Sequence, residues 1–211
     1  VIDAAAELFA SHGYSRTTLA RIAEAAEVSV ETVQAQGPKR SLLGAAVRLR
    51  TFGREADESI LDVPESGALL RQESPEGFAR AAARLVSEIN ARSSGLMRAF
   101  ASAAADDPDI EAEWSEVIRL VHGNVRDLVA LLRSRDWLRT DVGTDELAAS
   151  VWIMIDGANF EKLTARLGWP AQRYEDWLAR SIMELLFPAR PADEAMRAGR
   201  WPTRTTDAQS R

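Results

Sequence analysis

Apolar residues recur at three- and four-residue steps through most of this chain, and no stretch sustains two-residue alternation. That period marks one face of an α-helix, so the pattern predicts an all-α protein. The first helix covers 1–12, with Val1, Ile2, Ala5, Leu8 and Phe9 on one face and Gly13 as its stop. Short helices follow at 17–26 and 30–36. A longer one at 39–58 has an apolar first half (Leu42, Leu43, Ala46, Val47, Leu49) and a polar second half. Pro64, Gly67 and Pro75 predict a loop or short broken helix over 62–76. Further helices are expected at 75–91, 96–104, 108–135, 144–167 and 170–187. Ser93-Ser94-Gly95 and Gly168-Trp169-Pro170 are read as breaks. Asp106-Asp107-Pro108 is a strong start signal, since proline suits the first turn and acids complement the dipole. The Pro-, Arg- and Thr-rich tail after Phe187 is expected to be irregular.

Residues 17–39 stand out within this pattern. Leu19, Ile22, Ala23 and Ala26 form the apolar face of one short helix, capped by Thr17 or Thr18. Ser29 caps a second, in which Val33 points inward with Val28 behind it. Glu31, Thr32, Gln34 and Ala35 point out. An outer face of small, hydroxyl and amide side chains suits a groove, as in a helix-turn-helix whose second helix enters the DNA major groove. Two ordinary helices of a bundle would show the same period, so periodicity leaves both readings open.

The residues in and around this stretch carry a resemblance. Ile2, Ala4, Ala5, Leu8, Phe9, Gly13 and Tyr14 are followed by Thr17, Thr18, Ile22, Ala23, Val28, Ser29, Thr32 and Val33. Lys39 and Leu42-Leu43 then open the fourth helix. On these positions residues 1–50 resemble the DNA-binding domain of the tetracycline-repressor (TetR) family of transcriptional regulators. The remaining three quarters are similar only in helicity and length. The resemblance implies an N-terminal three-helix helix-turn-helix domain joined by a connecting helix to a C-terminal helical bundle. We place these at 1–46 and 47–187, with a tail at 188–211. It also implies a homodimer on a palindromic operator and a small-molecule effector held in the body. There are departures: Gln34 stands where the family usually has a phosphate-bracing tyrosine, another aromatic is missing near Gly37, and the link to the fourth helix is one residue short.

Composition narrows the function further. The 211 residues include no cysteine and two histidines, His12 and His122, which leaves no material for a thiolate or histidine-rich metal site. No Gly-rich phosphate loop or nucleophile elbow occurs, so neither catalysis nor a cofactor is expected. No apolar run approaches the ~20 residues that span a bilayer, and a cytoplasmic protein without membrane contact is expected. The chain starts at Val1, partway into its first helix, and a short arm is expected to precede it. The net charge of −6 is uneven: residues 1–54 hold seven Lys/Arg against five Asp/Glu. A mildly basic head on an acidic body fits DNA approached from one end.

Candidate sites follow from these readings. Thr17, Thr18 and Lys39 are placed to meet phosphates, with Ser29 and Thr32 at the start of the reading helix. Glu31 can accept from a cytosine amino group and Ala35 can rest on a thymine methyl. Gln34 can pair with adenine or touch phosphate as the family's tyrosine does. Candidate effector walls are Leu96, Met97, Phe100, Trp114, Ile118 and Trp152, with His122 and Asp156 as polar groups. The helix at 144–167 is apolar nearly all round its middle and therefore needs cover on every side. With 170–187 it is expected to form the dimer contact through Val151, Ile155, Ala158, Leu178, Ile182 and Leu185. The leading reading is a ligand-responsive DNA-binding regulator, a repressor in its simplest form. The alternative is a helical small-molecule-binding or interaction protein with a degenerate DNA-binding head.

Overall fold

The computed structural model describes residues 1–53 and 66–188, and among these it is all α-helical. The head consists of α1 (Ile2–His12), α2 (Leu19–Ala25), α3 (Val30–Gln34) and the start of α4 (Lys39–Phe52). The Thr18 hydroxyl accepts from the Arg21 amide and the Ser29 hydroxyl from the Thr32 amide, so both expected N-caps form. The third helix ends at Gln34 rather than Gln36, because the chain turns through Gly37 at φ 115°, a conformation a side chain would strain. Val33 is fully buried, whereas Val28 is 37% exposed and does not stand behind it.

The connecting helix is also shorter than its period suggests. Gly53 adopts the left-handed conformation (φ 74°) and returns its amide to the Leu49 carbonyl at 2.9 Å, which stops α4 there. Residues 54–58, the remainder of the polar second half expected to reach residue 58, lie outside the described residues, as do the loop up to residue 65 and the tail from residue 189.

The body comprises α5 (Gly67–Leu70), α6 (Pro75–Ala104), α7 (Pro108–Ser134), α8 (Thr144–Ile155), α9 (Gly157–Glu161) and α10 (Ala171–Leu186). The expected break at Ser93-Ser94-Gly95 does not occur, and α6 runs unbroken for 30 residues. Small residues have another place here. A Cβ on Gly95 would be in ordinary contact with Ala10 of α1 at 3.6 Å, whereas one on Gly157 would crowd Ser94 at 3.3 Å. Ser-Ser-Gly is thus where two other helices approach α6 closely, and the Ser93 hydroxyl is satisfied on the Ile89 carbonyl at 2.7 Å.

Conversely, the helix expected to run through 144–167 breaks at Asp156 (ψ 136°). The Asp156 carboxylate accepts from the Ala158 amide at 2.7 Å and so restarts the chain as α9. Carbonyls freed by the break are taken up by side chains: Ile155 by the Asn90 amide at 3.0 Å and Ile153 by the Asn159 amide at 2.7 Å. A π-helical turn, Lys162–Arg166, follows.

Two cores result. One joins α7, α8, α10 and the first half of α6 around Phe78, Val129, Leu147, Tyr174 and Leu178. The other contains Phe9, Ile22, Val33 and Leu42 of the head, and continues into Leu96 and Phe100 of α6 and Ile110 of α7. The head is therefore seated on the body by shared apolar packing. The first core also changes the expected dimer contact. Val151, Leu178 and Ile182 are 7%, 0% and 3% exposed within a single chain, because α8 and α10 spend these side chains on α6 and α7. An Ile182→Asp substitution should therefore unfold the body, costing at least about 3 kcal/mol by urea denaturation, since it buries an unpaired charge.

Candidate nucleic-acid interface and a body cavity

The polar residues of the helix-turn-helix divide into those that build it and those that face outward. Thr17 is fully buried, and its hydroxyl lies 2.9 Å from the Gly13 carbonyl and 3.2 Å from that of Leu8. It pins the turn between α1 and α2 and does not meet phosphate, contrary to the expectation. Lys39 is half-buried. Its ammonium donates to the carbonyls of Tyr14 (3.0 Å) and Thr17 (3.1 Å) and lies 3.9 Å above the Tyr14 ring. Burial pulls its pKa down from the usual lysine value. Much of its hydrogen-bonding capacity is thus spent on clamping α4 to the α1–α2 turn.

Outward-facing residues are Thr18, Ser29, Glu31, Thr32, Gln34 and Ala35, all exposed. The hydroxyls of Thr18 and Ser29 are engaged as caps, and those of Ser29 and Thr32 lie 3.2 Å apart. The Glu31 carboxyl is held below its ordinary range by its own backbone amide and then by the Ser29 hydroxyl. It is therefore an acceptor at neutral pH, as pairing with a cytosine amino group requires. Two exposed cations flank this face. Arg16 donates to the His12 carbonyl at 2.8 Å and Arg21 to the Arg16 carbonyl at 3.1 Å, which holds both guanidinium groups beside α2. Sequence reasoning passed over them, although a basic residue three positions after a capping threonine was a usable signal.

The body holds a cavity of about 150 Å³ between α6, α7, α8 and α10, reached also by Thr51 of α4. Of the expected wall residues, Met97, Ile118, Trp152 and Asp156 line it. Leu96 and Phe100 belong instead to the core shared with the head, and Trp114 packs against that core with its ring 5.3 Å from Phe100. His122 packs edge-on against Trp152, centroids 5.6 Å apart, and is not part of the wall. Ile155 and Ile182, expected at a dimer contact, line the cavity. Polar wall groups absent from the expected wall are Thr51, Asn90, Ser93 and Asn124. The two amides interrupt otherwise apolar helical stripes, which is the signal that could have found them. Asn90 donates toward the Tyr174 hydroxyl at 3.4 Å, and burial raises the pKa of that phenol.

Residues 1–34 match the family of bacterial regulatory proteins designated tetR. That match covers α1, α2 and α3, the helix-turn-helix part of the head. No curated protein matches the chain. Among solved structures, the fatty acid degradation regulator FadR from Bacillus halodurans is similar over 86% of this chain and 91% of its own. It has a TM-score of 0.66 at 15% identity. The MbdR regulator from Azoarcus sp. CIB is similar over 89% and 97%, with a TM-score of 0.63 at 19% identity. A protein from Saccharomonospora viridis assigned as a transcriptional regulator, in complex with choline, covers 89% and 96% with a TM-score of 0.65 at 16% identity. Identities this low speak to the fold, and the likeness in fold extends from the head through the helical body.

Two substitutions separate scaffold from surface in the head. Lys39→Ala removes two carbonyl contacts and a cation–π contact, and should lower stability by about 2 kcal/mol in urea denaturation. Arg21→Ala should leave stability unchanged within about 0.5 kcal/mol. It should weaken binding to all DNA sequences alike and reduce the slope of log affinity against log salt by about 1.

Proposed function

We propose that this chain is a ligand-responsive transcriptional regulator that binds a palindromic operator as a homodimer, in the cytoplasm, with no catalytic step. The observation that carries the proposal is the outer face of α3. Glu31, Thr32, Gln34 and Ala35 are all exposed on a five-residue helix whose inner residue, Val33, is fixed in the head's core. Val33, with Val30 half-buried against the same core, holds this helix, and the four exposed residues are free to meet a groove. In this reading Glu31 and Ala35 face base edges, Arg16 and Arg21 face phosphates, and Thr18, Ser29 and Thr32 shape the approach. Gln34 either pairs with adenine or replaces a phosphate contact. Operator selection with Gln34→Ala distinguishes these roles: relaxed preference at one base pair means base reading, and uniform loss means anchoring.

The dimer reading now rests on what the chain leaves uncovered. Ile153 is 62% exposed on the face of α8 opposite Leu147 and Val151, and Leu167 is 66% exposed beyond α9. Ala158 is exposed nearby, while Ile155 and Leu185 are half-buried. A twofold contact through this outer surface would set two heads against half-sites about 34 Å apart, or a multiple of that.

A gel shift with DNA flanking the chain's own gene, run over a salt series, tests the function. Saturable binding that resists excess random duplex and weakens with salt is expected. Equal affinity for random duplex at every salt concentration would refute it. Ile153→Asp should yield folded monomers by light scattering and cost operator affinity. Persistence of the dimer would remove this surface from the interface.

A further inference from the structure

The chemistry of the cavity wall selects among effector classes, an inference that rests on reading the chain as ligand-responsive. Among the described lining residues there is no lysine, arginine or histidine, and one carboxylate, Asp156. An anion entering would shed its hydration and find no counter-charge. A quaternary cation fares little better, because such groups are held by cages of several aromatic rings. Here Phe78 and Trp152 are the aromatic residues of the described wall, and Phe78 already packs edge-on against Trp137 and Phe187. The Asp156 carboxylate is engaged at the start of α9. What remains is an apolar space with a few neutral polar groups.

One of those groups is distinctive. The Thr51 hydroxyl oxygen is buried and has no hydrogen-bond partner among the described residues, whereas the Ser93 hydroxyl in the same wall is satisfied by Ile89. A buried hydroxyl without a partner is costly, and a ligand that supplies one recovers that cost on binding. Thr51 is also placed on α4, the helix whose Leu42, Leu43, Ala46 and Val47 are fully buried against the head. A volume near 150 Å³ matches an apolar cavity known to accept benzene, of about 150 Å³.

We propose that the cavity takes an uncharged molecule about the size of one substituted aromatic ring, bearing a hydroxyl or carbonyl that hydrogen-bonds Thr51. The ligand thereby touches the helix that carries the DNA-facing head.

Calorimetry on the full chain at pH 7, without DNA, tests this with three probes that share a methyl-substituted ring: p-cresol, toluene and p-toluate. We expect p-cresol to bind about fivefold tighter than toluene, the worth of one net hydrogen bond, and p-toluate to give no binding. Thr51→Val should bring p-cresol down to the level of toluene while leaving toluene within about twofold. Thr51→Ser, which keeps the hydroxyl, should retain the preference. Tight binding of p-toluate, equal losses for p-cresol and toluene in Thr51→Val, or no binding of any probe would overturn the assignment. Operator binding is measured separately. Probe binding as expected with no operator binding would sink the regulator reading and leave the cavity assignment standing.

Discussion

Shared burial between head and body is the constraint on which the rest of the molecule depends. Leu96 and Phe100 of α6 are within 1% of full burial, in a core where α6 packs against α1 and α4 and which continues into α2 and α3. The same helix, one turn and more toward its N-terminus, supplies Ala82, Leu85, Val86, Ile89 and Asn90 to the cavity wall. α6 is continuous between these points, so no break in the helix separates the wall from the seat of the head. Close-packed cores respond to displacements by shifting between discrete arrangements rather than deforming smoothly.

Charges at this junction reinforce the packing without creating it. Arg40 of α4 approaches Asp109 at 3.6 Å and Glu113 at 3.8 Å on α7, while Arg50 approaches Asp3 at 3.3 Å and Glu7 at 3.6 Å on α1. The acids are mostly exposed, and pairs of this kind contribute about 0–1 kcal/mol each. Arg92 adds a hydrogen bond to the Arg50 carbonyl at 2.7 Å, which ties α6 to the end of α4 beside Thr51. The cavity, the end of α4 and the head are thus joined chiefly by the burial of apolar side chains.

The helical period located most of the elements, because burial on one face is what both the sequence pattern and the fold express. Its failures have physical causes. Ser93-Ser94-Gly95 looks like a break by residue type, yet in α6 the small side chains admit α1 and α9. The apolar run through α8 concealed a break at Asp156, whose carboxylate caps the next helix. Thr17 and Lys39 were legible as members of the helix-turn-helix but not as scaffold, since their hydrogen-bond partners are backbone carbonyls invisible to any spacing rule. Val151, Leu178 and Ile182 read as surplus hydrophobes because a sequence does not reveal how much of a stripe its own α6 can cover. Thr51, the one wall residue from α4 among the described residues, had no signal at all.

Coupling between the cavity and the DNA-facing surface is the central claim, and linkage makes it measurable from both ends. Affinity for the operator would be titrated with and without saturating p-cresol, and affinity for p-cresol with and without the operator. Each ligand should change the other's affinity by the same factor, between about five- and 150-fold. Two factors equal to one, with both ligands bound, would show that the shared core transmits nothing and would contradict the coupling.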